Sequence, residues 1–188
     1  MTDQPTGLVA AIARKAAELG FESCGETPAA HLEVNPEVRS MCAADRCQSY
    51  GKNWTCPPAC GTLDEFAERI SRHATCLVVQ TVAQLEDEFD IEGMTEAAEL
   101  HKRRFAALAQ FARDEARARA ADEPLPLGAG GCTLCSACTC PDEPCRRPGQ
   151  AIVSMEAAGL LVSDACGAAG IPYYHGKGTL AYTGCVLV

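Results

Sequence analysis

Five cysteines stand between positions 132 and 145, in Gly130-Gly131-Cys132-Thr-Leu-Cys135-Ser-Ala-Cys138-Thr-Cys140-Pro141 and then Pro144-Cys145-Arg146-Arg147-Pro148. Spacing this tight lets one short loop turn several sulfurs toward a common centre, which is what an iron–sulfur cluster demands of a chain. The bacterial ferredoxin run is Cys-x2-Cys-x2-Cys-x3-Cys-Pro, and Cys132, Cys135 and Cys138 match its first three positions. The fourth position is Asp142, so the fourth ligand lies elsewhere. Cys145 is the preferred candidate and Cys140 the second, because one residue between Cys138 and Cys140 leaves little chain to wrap a cluster. Gly128, Gly130 and Gly131 let backbone amides approach bound sulfide. The alternative is a structural zinc site, which also takes four cysteines, often in Cys-x2-Cys pairs. A continuous x2, x2 run suits a 4Fe–4S cube better than a tetrahedral knuckle.

A second constellation lies upstream: Cys42-x4-Cys47-x8-Cys56-Pro57-Pro58-Ala59-Cys60, with Tyr50, Gly51, Lys52 and Trp54 between its parts. The two prolines stiffen the chain after Cys56 and remove backbone donors there. Four thiolates from Cys42, Cys47, Cys56 and Cys60 suffice for a second 4Fe–4S centre. The spacing is less specific than that of the later group, and zinc or unliganded buried cysteine remain alternatives.

Thirteen cysteines in 188 residues call for disulfides or metal. The count is odd, and Met-Thr-Asp-Gln-Pro opens the chain without an apolar signal region, so the expectation is a reduced, cytoplasmic, metal-binding protein. No run of 18 apolar residues suggests a membrane span. The formal net charge of −9 disfavours nucleic acid, which needs a Lys/Arg footprint, and favours a basic or locally basic protein partner. No glycine-rich phosphate loop follows a strand, and no Ser/His/Asp order is legible.

The scaffold that must position these loops reads as α+β: a small β-sheet packed with helices, in a single domain spanning 1–188. Leu8, Ile12, Ala16 and Leu19 recur at helical spacing over 6–19, and Gly20 stops the helix. A short strand is expected at 21–26 and a loop over 28–41. Thr62-Leu-Asp-Glu65 is a capping box for a helix to about Arg72. Residues 75–83, Thr-Cys-Leu-Val-Val-Gln-Thr-Val-Ala, give the strongest strand signal. An acidic segment over 84–93 precedes a long helix over 94–120, with Met94, Ala98, His101, Phe105, Leu108 and Ala112 on one stripe. Residues 149–158 are expected to be helical, Ser163 or Asp164 to cap a short helix ending at Gly170, and 179–188 to form a second strand.

Both cysteine groups carry a family resemblance. Val38-Arg39-Ser-Met-Cys42-x4-Cys47-x2-Tyr50-Gly51-Lys52-x-Trp54-x-Cys56-Pro57-Pro58 resembles the first motif of an uncharacterised prokaryotic family, domain of unknown function 2284. Gly131-Cys132-x2-Cys135-x2-Cys138, Pro144-Cys145-Arg146-x-Pro148 and Ser154-Met155-Glu156-x2-Gly159 resemble its second. The resemblance implies metal binding, with an iron–sulfur cluster as the expected form, and assigns no reaction. It implies ligation by Cys42, Cys47 and Cys56 and by Cys132, Cys135, Cys138 and Cys145, which favours Cys145 over Cys140. Cys60 lies outside the pattern, so either it completes the first site, or one iron stays open, or the fourth ligand is remote.

The functional expectation is a cytoplasmic electron carrier or redox subunit with one or two 4Fe–4S clusters and a redox protein as partner. The competing expectations are an enzyme with an open iron at Cys42, Cys47 and Cys56, and a non-redox zinc module. Of the remaining residues, His101 reads as a satisfied, half-buried histidine and His175 as part of a turn. Cys24, Cys76, Cys166 and Cys185 read as buried thiols. Arg146 and Arg147 read as a solvated pair or as charge compensation, and Lys52 and Trp54 as a shield for the first site.

Overall fold

A computed structural model describes residues 4–188, and it has the α+β organisation expected from the sequence. Helix α1 spans Gln4–Glu18 and buries Leu8, Ile12 and Ala16, as their spacing requires. Gly20 follows at φ 83, the left-handed conformation in which a helix commonly ends. Strand β1, Ser23–Pro28, starts two residues later than expected. The stretch expected to be a loop holds a 3-10 turn, Ala29–His31, and helix α2, Pro36–Met41. Its two prolines hid the helix, yet Pro36 sits in the first turn, where its missing N–H costs nothing, and the Asn35 side chain accepts from Glu37 N.

Helix α3, Leu63–Ser71, carries both bonds of the capping box: Glu65 N donates to Thr62 Oγ1, and Thr62 N donates to Glu65 Oε2. Strand β2 spans Thr75–Gln84. Helix α4, Ile91–Ala118, begins earlier than its apolar stripe suggests because Asp90 caps it through Gly93 N. Strand β3, Leu125–Leu127, was not expected: a three-residue run containing proline carries no usable period. Helix α5, Val162–Ala168, is capped by neither Ser163 nor Asp164; Leu161 occupies its N-cap and offers no side-chain acceptor. Strand β4 spans Thr179–Leu187.

The strands form one antiparallel sheet in the order β1-β2-β4-β3. Side chains of β2 alternate between two cores. Cys76 and Val78 join Phe66, Met155, Leu160, Cys166 and Cys185 on the α3/α5 face. Leu77 and Val79 join Leu8, Ile12, Phe105 and Leu108 under α1 and α4. Covering both faces explains why 75–83 reads as one apolar run instead of an alternating one. Cys76, Cys166 and Cys185 are wholly buried as expected, whereas Cys24 is exposed, because β1 forms the sheet edge.

Residues 149–158 form no helix. They hold turns and a tight bend in which Ala158 N donates to Ser154 O, and Leu160 N to Met155 O. This bend is the joint on which both cysteine groups rest. On one side, Gly128 N donates to Val153 O and Met155 N to Gly128 O, which closes the base of the cysteine loop running from Gly128 to Ser154. On the other, Asn35 N donates to Gly159 O and Val34 pairs with Leu160, which ties down the start of α2. Among the described residues, no helix is long and apolar enough to cross a membrane.

Candidate metal centres

Helix α2 ends at Met41, and Cys42 opens the 3-10 turn Cys42–Ala44 directly beyond it. Cys60 lies just before the N-cap of α3. The first group is therefore slung between two helix ends. Its thiols lie within electrostatic range of one another: Cys42 feels Cys47, and Cys56 feels Cys60, Cys42 and Cys47. Burial pushes the Cys56 thiol up to about 11, with the neighbouring sulfurs adding to the rise and a Thr55 hydrogen bond opposing it. Burial likewise raises Cys42 and Cys60, and Arg39 opposes the rise at both.

Arg39 is a member of this site that spacing alone does not single out. Its Nη2 donates to Cys60 Sγ at 3.3 Å and to Gly61 O at 2.6 Å. Its Nη1 is enclosed without a partner. A buried guanidinium N–H is costly to leave unmade, so the position calls for an anionic acceptor. Glu156, in the bend described above, also lies close enough to Cys42 to raise its thiol.

The second group occupies a loop without regular secondary structure from Gly128 to Ser154. Internal hydrogen bonds shape it. Thr139 Oγ1 donates to Pro144 O at 2.9 Å, Glu143 N to Thr139 O at 3.0 Å, and Arg146 Nη1 to Ala137 O at 3.0 Å. Cys132, Cys135, Cys138 and Cys145 all line one small cavity, together with Trp54, Thr55 and Arg146. Cys140 is not on that wall. It is buried against the first group's chain, with Sγ 3.9 Å from Gly51 O. Burial, Cys138 and Asp142 raise its thiol.

The two groups are latched together by Asn53-Trp54-Thr55. Cys132 N donates to Thr55 Oγ1 at 3.1 Å, and Asn53 Nδ2 donates to Cys132 O at 3.0 Å. Thr55 N and Oγ1 both donate to Asn53 Oδ1 at 3.1 Å, which fixes the amide. Trp54 Nε1 donates to Glu143 O at 3.1 Å. Trp54 thus covers the second site, not the first, and Lys52 pairs with Asp45 at 3.7 Å in an exposed position. Asn53 and Thr55 are 7 % and 2 % exposed, so these polar groups depend on one another for their hydrogen bonds. At Gly131 an added Cβ would come within 3.3 Å of Ser49 Oγ and 3.6 Å of Cys56 Sγ. The backbone of the second loop therefore lies directly against a thiol of the first group. Asn53 and Thr55 escaped sequence reasoning because their partners are 77 or more residues away.

As they stand, no three or more His, Cys, Asp or Glu side chains among the described residues are arranged to hold a metal ion. The donor set nonetheless fits a thiophilic metal or cluster: thiols are the metal-ligating side chains on the one enclosure that the second set shares, and Arg39 offers an uncompensated N–H at the first.

Fold and site together define a cysteine-rich α+β protein with two thiol groups joined by a polar latch. A family model described as "Predicted metal-binding protein (DUF2284)" matches residues 26–188. The chain belongs to that family, as the motifs suggested. No curated protein and no solved structure matches it.

Proposed function

We propose that the protein is a cytoplasmic electron carrier or redox subunit with a 4Fe–4S cluster in each cysteine group. A fully ligated 4Fe–4S cluster supplies one-electron transfer within a fixed coordination shell. Cys132, Cys135, Cys138 and Cys145 would hold the second centre, and Cys42, Cys47, Cys56 and Cys60 the first. The observation that carries the reading is the latch: Thr55 and Asn53, one and three residues before Cys56, hold Cys132. Two centres gripped this closely favour intramolecular electron transfer. Trp54 lines the enclosure of the second set, and Arg39 counters negative charge at the first. The partner is a redox protein with a basic face. Supporting that choice, the acidic segment from Glu86 to Glu92 exposes Phe89 and Ile91.

Purification without oxygen, followed by metal and sulfide analysis and an EPR spectrum after dithionite, tests the reading. The expected result is a brown protein with about eight iron and about eight sulfide per chain. Zinc in both sites without acid-labile sulfide overturns it.

One observation favours a second reading. Cys60 Sγ already accepts from Arg39, which suits a first centre held by Cys42, Cys47 and Cys56 alone, with one iron open to a substrate. In that case Cys60→Ala leaves the spectrum of the first centre unchanged; under full ligation it removes it.

A further inference from the structure

Helix α4 turns two of its polar side chains inward, with different outcomes. His101 is wholly buried, against the expectation of half-burial, and its Nδ1 lies 3.1 Å from Thr81 Oγ1. Arg113, further along, has a side chain only 16 % exposed, yet its single ion pair is a loose contact of 4.0 Å from Nε to Glu123 Oε1, and Glu123 is 83 % exposed. No hydrogen bond holds the Arg113 guanidinium among the described residues, and none of its nitrogens is sealed off. They open into the cavity that Arg113 lines.

That cavity measures about 820 Å³, within the range of about 300–1,000 Å³ usual for small-molecule sites. Arg69 and Arg72 of α3 and His73 just beyond it share the wall with Arg113. The Arg69 guanidinium lies over the Phe66 ring, 5.3 Å from its centre, and Phe66 is itself a wall residue. Arg69 enters no ion pair among the described residues, whereas Arg72 is tied to Glu68. The charges of both reach His73: burial holds its ring below the ordinary value, Asp122 opposes that, and Arg69 and Arg72 add to the depression. Asp122 and Glu123, the two carboxylates on the wall, are exposed, so water screens them. Arg69 and Arg113 thus have donors to spare in an enclosed part of a chain whose net charge is −9.

A guanidinium fork matches carboxylate or phosphate. Two forks from different helices suit a tetrahedral dianion, which offers acceptors in several directions; a carboxylate is satisfied by one fork. We propose that this cavity binds a small organic phosphate. Its phosphate accepts from Arg69 and Arg113, and its carbon body lies on Pro148, Ala151 and Val153, on the limb that leaves the cysteine loop. The same three residues line a second hollow, of about 590 Å³, whose wall also holds Trp54 and Cys145. The ligand therefore lies on the side of the second cysteine group. The binding itself stands whether that group holds iron, zinc or no metal.

The test is a calorimetric titration, in a phosphate-free buffer, with inorganic phosphate, AMP, adenosine and acetate. Inorganic phosphate, the charged head alone, is expected to bind with Kd on the order of 1 mM, and AMP at least about tenfold more tightly. Adenosine and acetate, which lack the phosphate, are expected not to bind at about 10 mM. Arg69→Gln and Arg113→Gln are each expected to weaken phosphate binding at least about tenfold. Glu123→Gln, which releases Arg113, is expected to strengthen it. In protein labelled with ¹⁵N in its histidine rings, bound phosphate is expected to raise the titration midpoint of His73 and leave that of His175 in place. If phosphate does not bind at about 10 mM, or if both arginine variants bind it as wild type does, the proposal fails. AMP binding no tighter than inorganic phosphate, or adenosine binding as well as AMP, also overturns it. The wild-type titrations and the exposed Arg69 variant decide the matter even if Arg113→Gln does not fold.

Discussion

The two cysteine groups are held in different ways. The first is suspended between the end of α2 and the start of α3, so secondary structure fixes its outer members, Cys42 and Cys60. The second sits in a loop with no helix or strand, closed at its base by Gly128 and Met155 and held by side chains of the first group, Asn53 and Thr55 at Cys132 and Trp54 at Glu143. Dependence therefore runs mainly one way. The first group can be positioned by its own helices, whereas the second needs Asn53 and Thr55. Burial also differs within each set: Cys47 and Cys138 are exposed, and the remaining members implied as ligands are partly covered. Each group thus has one thiol at the surface, where a metal can enter.

The largest test of this contrast compares two thiols of the second loop. Cys145→Ser is expected to halve the iron content, from about eight to about four per chain, and to leave the signal of the first centre. Cys140→Ser is expected to leave iron content unchanged, because Cys140 is turned away from the enclosure that Cys145 lines. Equal losses from the two variants, read by iron and sulfide analysis, would break the assignment.

Thr55→Val keeps the shape of the latch and removes its hydroxyl. It leaves the partly buried Cys132 N–H without its acceptor, at a cost of about 1 kcal/mol. Denaturant unfolding of the metal-free protein reads the loss. In the loaded protein, the second centre is expected to weaken more than the first, and equal weakening would show that dependence is mutual.

Acid provides a third test, on the α4 side of the sheet. Burial holds the His101 ring at about 4, against an ordinary 6.5, with Arg104 and Lys102 adding to the depression. Between those values the unfolded chain binds a proton that the folded chain refuses, so stability falls as pH drops from 6.5 toward 4. The loss is expected to reach a few kcal/mol at most, and His101→Phe is expected to flatten that part of the metal-free stability profile.

The smallest effect expected is that of Thr62→Ala. It removes the Oγ1 acceptor of the capping box and costs about 1 kcal/mol, read as a shift in the denaturation midpoint. Because α3 follows Cys60 directly, any accompanying change should be confined to the first centre.

Local features carried far in the sequence. The capping box at Thr62 and Glu65, the α1 stripe ending at Gly20, the long α4 face and the apolar run of β2 depend on neighbours within a few residues, so residue order alone determined them. The same holds for the grouping of Cys132, Cys135 and Cys138, whose spacing is itself the signal. Other features depended on distant chain. Helix α2 hid behind two prolines, and β3 is too short to show a period and forms only because β4 offers it an edge. The segment at 149–158 became a bend because its backbone hydrogen bonds also serve Gly128 and Asn35. Thr55, Arg39 and His101 are unremarkable as letters; their roles come from the positions of Cys132, Cys60 and Thr81. Which residues could serve as soft metal ligands was settled by composition and spacing, because that depends on side-chain chemistry. How the two groups touch, and what stands beside them, was decided by tertiary structure, because hydrogen bonds and burial join residues that the sequence keeps far apart.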